Sequence, residues 1–554
     1  MDHVHVRRMR SAQTVRGSLR HMTRFDWSLP HHSRRQPILG RSIAATSTPL
    51  GAQAGLEMIR RGGNAADAAI AIAACMTVVE PTSNGIGGDA FCLAWMSGAL
   101  HGLNGSGRSP VGLDSDRLLA MDTHPTDGWD PITVPGAVRS WVDMNARFGA
   151  LEFAECLQPA IRHARDGYLL APETARAWRR SAERFRDSES WCATFLRDGR
   201  APSEGDLVRL PDHARTLESI AETKGESFYH GELAQRIVDA SESSGGSFVM
   251  EDLASHVSEW VDPISLDYRG RIVNEIPPNG QGIAALIALG VLRHFDLGSM
   301  PADSPEVLHL QIEAMKIGFA DAHRWVADPD HLQTTAETLL DDARLEALAG
   351  SIDRSHAQTF DAGVPKPGGT IYLSTADHDG NCVSWIQSNY TGFGSGVVIP
   401  ETGIAMQNRG ACFTLEAGHP NVVAGGKRPY NTIIPGMLTP ADGAPETDLM
   451  TFGVMGGFMQ PQGQLQVVSH LVDFDRNPQA ALDAPRWQWR KGLTIDVEPG
   501  FDDDTIRTLR SLGHEITVSK EMNAEFGRGQ AIHRIEHGWC AGSDPRADGQ
   551  AVGI

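Results

Sequence analysis

A run of almost wholly apolar residues, AADAAIAIAACMTVV at positions 65–79, restricts how this 554-residue chain can fold. Its alanine-rich composition favours an α-helix. Asn64, followed three residues later by Asp67, matches a capping box at the start of that helix, and Pro81 marks its end. Because apolar residues lie on nearly every side of it, the helix is predicted to be buried inside the protein.

A second long helix is predicted over 304–328, within a stretch from 136 to 350 that has a mainly helical pattern. Ser304 is placed to cap it, and Pro305 suits the first helical position. One face of this helix is predicted to join the core, because apolar residues recur along it at intervals of three and four, namely Leu308, Ile312, Met315 and Phe319.

From Thr370 the hydrophobic period changes from the helical value to two. Asp379-Gly380 is a strong hairpin signal, and CVSWIQS follows it as a partner strand. Further strands are predicted for FCLAWM at 91–96 and for the pair VVIP and IAMQN at 397–400 and 404–408. Strands near both ends with helices between them indicate an α+β fold with helical layers on antiparallel sheets.

The charge and cysteine content exclude several classes of function. A formal net charge of −20 argues against nucleic acid or an anionic membrane as the main partner. No apolar run reaches the roughly eighteen residues that a membrane span needs. The seven cysteines are scattered and contain no CxxC pair or metal-ligand spacing. They are typical of buried thiols in a reducing compartment, so a cytoplasmic location is expected.

Residues 1–40 are rich in arginine and poor in acidic residues. This arm lacks the apolar segment of a secretory signal, and it is predicted to be a disordered leader. A transit-like peptide and a start codon assigned too far upstream are the alternatives for the same composition. The packed part of the chain is therefore expected to begin at about residue 41.

The glycine-rich motifs do not indicate nucleotide binding. GIGGDAF at 85–91 follows a predicted helix, whereas a dinucleotide fingerprint follows a strand. GGKRP at 425–429 has an arginine where a phosphate-binding loop has serine or threonine, and it lacks the required upstream glycine. The nucleophile-elbow motif G-x-S-x-G and the zinc motif H-E-x-x-H are both absent from the sequence.

Gly-Gly-Thr at 368–370 suggests an N-terminal nucleophile. If the Gly369–Thr370 bond were cleaved, Thr370 would carry a hydroxyl and a free α-amine whose pKa is about 7.7–8. One residue would then supply both nucleophile and base. Glycine before the bond would tolerate the backbone strain of an internal attack. An ordinary strand that follows a Gly-Gly loop is the alternative.

Six segments, in order from about residue 40 to the C-terminus, resemble the γ-glutamyltransferase family, and they lie at 62–91, 131–138, 309–324, 368–384, 425–435 and 542–549. The resemblance implies an N-terminal-nucleophile hydrolase with a four-layer αββα fold. It also implies a precursor (zymogen) that cleaves itself at Gly369–Thr370 into a large subunit, 41–369, and a small subunit, 370–554. The two subunits would remain together as a heterodimer, and no metal or organic cofactor is expected.

The resemblance also assigns the catalytic residues. Thr370 matches the family's nucleophile, and Ser388 falls where a second hydroxyl hydrogen-bonds that nucleophile. Serine replaces the usual threonine there but keeps its donor and acceptor. Gly456 and Gly457 match the pair whose backbone amides form the oxyanion hole. Glycine suits that role, because two N–H groups must reach one oxygen without a side chain in the way.

For the donor's α-carboxylate, the resemblance points to Arg108. A guanidinium matches the planar anion, since its N–H groups can donate to both carboxylate oxygens. The two hydroxyls that usually assist this arginine in the family fall on Asn431 and Thr432, so one of them is replaced by an amide. Arg108 as a surface ion-pair residue is the alternative.

The expected site for the donor's α-ammonium departs from the family's pattern. The positions that would surround it hold Tyr390, Arg409 and Cys412. Asn389, next to Tyr390, is the candidate to replace the asparagine that the family usually has there. Arg409 has the wrong sign for a cation, so an ammonium beside it is disfavoured. The segment between Cys412 and 425 is also short, which indicates a trimmed lid loop and favours hydrolysis over acyl transfer.

Three hypotheses follow for a small-molecule amide or peptide substrate. The first is a γ-glutamyltransferase-like enzyme that cleaves γ-glutamyl amides such as glutathione through an acyl-enzyme on Thr370. The second keeps this mechanism but uses a glutaryl-type donor, as in cephalosporin acylases, with Arg108 and Arg409 binding a carboxylate. The third is a non-catalytic binding protein that retains the fold.

Overall fold

The computed structural model describes residues 27, 34–360 and 368–554. Arg35–Ile554 forms one compact unit; of the other unit, Met1–Arg34, only positions 27 and 34 are described, so the predicted leader lies largely outside the described residues. The packed chain begins earlier than the predicted residue 41. Ile38–Gly40 is an edge strand, and the Arg35 guanidinium donates to the carbonyls of Ser543, Asp544 and Gly549.

The described residues contain nineteen strands, most of which belong to two large sheets. They are β1 (Ile38–Gly40), β2 (Ile43–Thr46), β3 (Asp89–Met96), β4 (Ala99–Asn104), β5 (Tyr168–Leu169), β6 (Leu207–Val208), β7 (Glu259–Val261), β8 (Ile264–Tyr268), β9 (Arg271–Glu275), β10 (Gly369–Ala376), β11 (Cys382–Tyr390), β12 (Gly436–Pro440), β13 (Met450–Met455), β14 (Trp487–Lys491), β15 (Thr494–Val497), β16 (Glu515–Val518), β17 (Arg528–Ile535), β18 (Gly538–Ser543) and β19 (Gln550–Gly553).

Eighteen α-helices accompany them in the same described ranges. They are α1 (Pro49–Arg60), α2 (Ala65–Val79), α3 (Ser115–Leu119), α4 (Ala137–Phe148), α5 (Phe153–Asp166), α6 (Pro172–Arg184), α7 (Glu189–Phe195), α8 (Pro211–Thr223), α9 (Glu226–Tyr229), α10 (Glu232–Ser243), α11 (Met250–Ala254), α12 (Gly282–Leu292), α13 (Pro305–Trp325), α14 (Ala336–Leu339), α15 (Asp342–Gly350), α16 (Met459–Val472), α17 (Pro478–Asp483) and α18 (Asp503–Ser511). Short 3₁₀ helices include Arg409–Cys412.

The two large sheets are antiparallel throughout and contain seven strands each. Their strand orders are β1-β18-β17-β13-β12-β9-β8 and β19-β2-β10-β11-β3-β4-β7. Both orders mix strands from before and after Gly369. In the second sheet, for example, β10 lies between β2 and β11, and β11 pairs with β3.

Three groups of buried side chains define four layers. One group lies between the sheets and includes Tyr372 and Met437. A second packs α2 and its neighbouring helices against the second sheet and includes Ile371. The third packs α12, α13 and α16 against the first sheet and includes Phe452. This helix–sheet–sheet–helix order confirms the predicted αββα sandwich.

Several predicted elements are confirmed. Helix α2 begins after the Asn64–Asp67 capping box, and all of its residues are buried. Helix α13 begins at Pro305 with Ser304 as its N-cap. The hairpin about Asp379-Gly380 joins β10 to β11. Each of these elements has a local sequence signal, either a cap, a turn or a hydrophobic period, and interactions between residues close in sequence determine it.

The predicted strand pair at 397–400 and 404–408 forms only in part, because neither segment is a regular strand. The structure has a single bridge there, between Val398 and Ala405. The backbone N–H groups of Gln407 and Asn408 instead donate to the carbonyls of Gly87 and Asn389. The two segments also hydrogen-bond each other, from the N–H of Ile399 to the Ile404 carbonyl and from the N–H of Met406 to the Val397 carbonyl. The pairing is therefore short, and partners outside it satisfy the other backbone groups. The region from 136 to 350 is mainly helical, as predicted, since α4–α15 lie in it, although the short strands β5–β9 interrupt it.

Among the described residues, no helix combines the length and the apolar composition that crossing a membrane requires.

We expect Asn64→Ala to lower the free energy of unfolding by about 1–2 kcal/mol. The Asn64 side chain accepts hydrogen bonds from the N–H groups of Ala66 and Asp67, and its amide donates to the Phe148 carbonyl at 2.7 Å. Urea unfolding measures the change. Asn64→Ser, which keeps a capping oxygen, is the control and should lose less. Equal losses in both variants would place the cost on the Phe148 contact instead of the cap.

Candidate active site

A bulge between β10 and β11 places two residues opposite one. Gly369 pairs with Tyr390, and Ile371 pairs with Gln387, so Ser388 and Asn389 together face Thr370. The extra residue on β11 bends that strand locally. Tyr390 has a positive φ of 73° directly after the bulge. The bulge directs the Ser388 hydroxyl toward the Gly369–Thr370 peptide bond.

The hydrogen bonds around this bond join the two predicted hydroxyls. Thr370 Oγ1 donates to Ser388 Oγ at 3.2 Å, and Ser388 Oγ donates to the Gly369 carbonyl at 2.6 Å. The backbone N–H of Tyr390 donates to Ser388 Oγ at 2.8 Å. Thr370 and Ser388 are both buried. A carbonyl that accepts a short hydrogen bond is polarised toward attack at its carbon.

The glycine pair at 456–457 forms the turn between β13 and α16. Gly456 has a φ of 135° and Gly457 a φ of 60°, which favour glycine over other residues. The Gln281 side chain, from helix α12's N-cap position, stabilises the turn, because its Nε2 donates to the Gly457 carbonyl at 3.0 Å. A Cβ on Gly368 would lie 3.1 Å from the Gly457 Cα. The turn therefore lies next to the residue that precedes Gly369.

Close approach explains glycine at 369. Gly369 is not among the glycines with positive φ, so the strain argued from the sequence is not present there. A Cβ on Gly369 would lie 3.2 Å from the backbone nitrogen of Gly392. The absence of a side chain thus lets β10 begin tightly against the 391–394 loop.

Three residues predicted to lie near the donor's ammonium do lie together. The Arg409 guanidinium is 4.8 Å from the Tyr390 ring centre, and the Cys412 thiol lies close enough to Tyr390 to affect its hydroxyl. Burial raises the pKa of Tyr390 well above its ordinary value, and Cys412 raises it further. Arg409 and Cys412 begin and end one short 3₁₀ helix, which explains their proximity.

Arg409 is a fully buried cation with unused donors. Its Nη1 donates to Thr432 Oγ1 at 2.7 Å. Its Nε and Nη2 have no hydrogen-bond partner among the described residues. These two groups lie on one edge of the guanidinium, the edge that binds a carboxylate in a bidentate manner. A buried donor without an acceptor is costly, so this edge is suited to an anionic ligand.

Arg108, the predicted carboxylate clamp, is engaged elsewhere. Its Nη1 lies 2.6 Å from Asp328 Oδ2 and also donates to the Gly426 carbonyl, and its Nη2 lies 3.2 Å from Asp330 Oδ2. Among the described residues, the Arg108 guanidinium makes no hydrogen bond to Asn431 or Thr432. Arg409, rather than Arg108, contacts the Thr432 hydroxyl.

Asp89 is a buried carboxylate beside this cation, and the sequence indicated no role for it. It accepts hydrogen bonds from Gln407 at 2.7 Å, from the N–H of Gly107 at 3.3 Å and from Asn431 at 3.4 Å. Burial raises the pKa of Asp89 to about 6, although the Arg409 charge opposes the rise. Near neutral pH, Asp89 therefore offsets part of the Arg409 charge.

Three further residues at this site were missed by sequence reasoning. Gln460 Nε2 donates to Thr370 Oγ1 at 3.3 Å, and Arg528 Nη2 donates to the Thr370 carbonyl at 3.4 Å. Gln281 donates to the carbonyls of Thr432 and Gly457. The available signal was weak: Gln460 follows the glycine pair by three residues, but Arg528 and Gln281 reach the site only through the tertiary fold.

One cluster in the described part of the chain has a metal-like arrangement, away from these contacts. Ligand atoms of His309, Glu313 and His514 lie within 4.8 Å of one another. Lys316 Nζ donates to Glu313 Oε1 at 2.7 Å, and His309 Nδ1 lies 2.8 Å from His514 Nε2. The lysine ammonium balances the glutamate charge, while the buried His514 Nδ1 has no hydrogen-bond partner among the described residues.

Comparisons with known proteins agree with this architecture. A family model described as Gamma-glutamyltranspeptidase matches residues 51–554. The Glutathione hydrolase-like YwrD proenzyme of Bacillus subtilis is 36% identical over 514 residues, covering 91% of this chain and 97% of that protein. The Oxamate amidohydrolase proenzyme of Klebsiella pneumoniae is 34% identical over 549 residues, covering 94% and 100%. The crystal structure of cephalosporin acylase from Bacillus halodurans has a TM-score of 0.91 and 47% identity, covering 96% and 99% of the two chains.

We expect stability to fall with rising pH because of Asp89. Its pKa rises from 3.8 when unfolded to about 6 when folded. The folded state thus binds this proton more tightly, and the stabilisation, about 3 kcal/mol, is full below pH 3.8 and lost as pH rises through 6. Asp89→Asn cannot titrate. The melting temperature of the variant minus that of the wild type should therefore increase from about pH 4.5 to about pH 7.5. A constant difference would contradict the raised pKa.

Proposed function

The chain belongs to the gamma-glutamyltranspeptidase family and is an enzyme of the N-terminal-nucleophile hydrolase type, and we propose that Thr370 is its nucleophile. In this proposal the precursor first cleaves its own Gly369–Thr370 bond. The new N-terminal threonine then hydrolyses amides through an acyl-enzyme. The contacts of Thr370 with Ser388, and of Gly368 with Gly457, support this assignment.

Self-cleavage begins when Thr370 Oγ1 attacks the Gly369 carbonyl carbon. The carbon–nitrogen bond breaks, and the resulting ester is hydrolysed by water to a Gly369 carboxylate and a free Thr370 amine. The hydrogen bond from Ser388 to the carbonyl supports this step. The products, residues 1–369 and 370–554, would stay together because β10 lies between β2 and β11 in one sheet. The relatives from Bacillus subtilis and Klebsiella pneumoniae are both named proenzymes.

In turnover the free α-amine accepts the proton of Thr370 Oγ1, since its pKa is about 7.7–8. The hydroxyl oxygen attacks the donor amide, and the amine product leaves. The backbone amides of Gly456 and Gly457 stabilise the oxyanion in each tetrahedral intermediate. Water then releases the acid. Gly368 must leave its place beside Gly457 for a substrate to enter.

For the acyl donor, the geometry best supports a monoamide of a dicarboxylic acid, such as a glutaryl amide. The observation that carries this choice is Arg409, whose buried Nε and Nη2 have no acceptor among the described residues. A terminal carboxylate accepts both hydrogen bonds. The Bacillus halodurans neighbour is named a cephalosporin acylase, and the Klebsiella pneumoniae relative is named an oxamate amidohydrolase.

Gamma-glutamyl amides such as glutathione are the second candidate. Asp89 favours them, because an ionised carboxylate near Arg409 reduces the repulsion that a donor ammonium would meet. The Bacillus subtilis relative is named a glutathione hydrolase-like proenzyme. Hydrolysis is proposed over transfer for either donor, since the short segment after Cys412 leaves an acyl-enzyme open to water.

We expect the purified wild type to separate into two fragments under denaturing conditions, the smaller of which begins at Thr370. Thr370→Ala should remain a single chain of 59.9 kDa, because the attacking oxygen is gone. Thr375→Ala is the matched control: it lies on the same strand, but its hydroxyl donates to the Ala65 carbonyl. Intact mass and N-terminal sequencing measure the outcome. Cleavage at the same bond in Thr370→Ala would refute the nucleophile assignment.

We expect higher kcat/KM for a glutaryl anilide than for the matching γ-glutamyl anilide. Arg409→Gln should lower kcat/KM for the glutaryl substrate by about 100-fold, mainly through KM, because two charged hydrogen bonds are lost. Arg108→Gln is the comparison, and its loss should be smaller since its charge pairs with Asp328. A preference for the γ-glutamyl substrate would overturn the donor proposal but leave Thr370 as nucleophile.

A further inference from the structure

The orientation of the Gln460 amide is fixed by its neighbours. Gln460 is fully buried in the first turn of α16. Its Oε1 accepts a hydrogen bond from the Ile434 N–H at 3.0 Å. Because a backbone N–H can only donate, the amide oxygen must face Ile434, and the NH₂ group must face Thr370 Oγ1 at 3.3 Å. Gln460 therefore donates to the attacking oxygen.

That donor sets the direction of the hydroxyl protons. A hydroxyl that accepts from one side directs its single proton elsewhere. Thr370 accepts from Gln460 and donates to Ser388. Ser388 in turn accepts from Thr370 and from the Tyr390 N–H, so its own proton points at the Gly369 carbonyl. The chain of donors ends on the bond to be cleaved, and each link polarises the next.

We propose that Gln460 is a further catalytic residue of the self-cleavage, which rests on the function proposed above. Its amide orients the hydroxyl chain so that attack and proton transfer coincide. As Thr370 Oγ1 bonds to the Gly369 carbon, its proton passes to Ser388 Oγ, and the Ser388 proton passes to the carbonyl oxygen. That proton then moves to the departing Thr370 nitrogen as the carbon–nitrogen bond breaks and the ester carbonyl reforms. No proton is gained or lost in this acyl shift from nitrogen to oxygen, and water then hydrolyses the ester as in the proposed function.

A purely structural role for Gln460 is the competing explanation. Buried glutamines recur along α16, and the others bond backbone groups. Gln464 provides a matched control. It is buried one turn further along α16, and its Nε2 donates to the carbonyl of the same residue, Ile434, at 3.0 Å. Its described hydrogen bonds do not reach Thr370.

The test compares the first-order rate of precursor cleavage after cell-free synthesis, followed by denaturing electrophoresis. Gln460→Leu should slow cleavage by about 10-fold or more, the effect of one lost hydrogen bond to the reacting atom. Gln464→Leu should stay within about 3-fold of the wild type. Equal slowing in both variants, or cleavage of Gln460→Leu at the wild-type rate, would overturn the inference.

Gln460→Glu is the second variant, and it keeps the shape of the side chain. An ionised glutamate cannot donate to Thr370 Oγ1, whereas a protonated one can. Its cleavage rate relative to the wild type should therefore rise as pH falls from about 8 to about 5. A ratio that does not change with pH would count against the donor role, even if the leucine variant fails to fold. A wild-type chain that never cleaves would overturn the proposed function itself.

Discussion

The hydrogen bond from Ser388 to the Gly369 carbonyl is the contact on which the candidate active site depends. It exists because β11 has one more residue than β10 at the point where the two strands meet. In regular pairing, side chains alternate between the two faces of the sheet, and a hydroxyl would not return to its neighbour's backbone. The bulge brings the Ser388 hydroxyl to both the Thr370 hydroxyl and the carbonyl before it, and the Thr370 and Ser388 side chains are buried there.

The layers around this contact explain how the backbone could be cleaved at Gly369–Thr370 while the fold stays intact. Both large sheets take strands from each side of Gly369, and α2 packs against β10 as well as against α1 and α5. Breaking one peptide bond at the start of β10 removes none of these contacts. The apolar surface buried between the segments is continuous, so most of the hydrophobic stabilisation does not depend on that bond.

The sequence predicted those elements that interactions between neighbouring residues determine. The Asn64 cap and the Asp379-Gly380 turn were predicted because their signals lie within a few residues, and the αββα fold followed from the family resemblance. The strand pair predicted at 397–408 forms only in part: its segments share a few hydrogen bonds, but Gln407 and Asn408 donate to residues far away in the sequence. The pairing of Arg108 with Asp328 and the direction of the Gln460 amide join residues far apart in the chain, and no local pattern encodes them.

The position of Gly368 bears on when the enzyme becomes active. Before cleavage, this residue packs against Gly457 and fills the space beside the proposed oxyanion hole. In the proposed mechanism the same bond breakage that frees the Thr370 amine also releases the segment that obstructs the site. Under this proposal the uncut chain inhibits itself, because it lacks both the free amine that acts as base and the space that a substrate amide would need. Under the same proposal, each molecule is activated once and irreversibly, and the precursor does not hydrolyse substrate before that event.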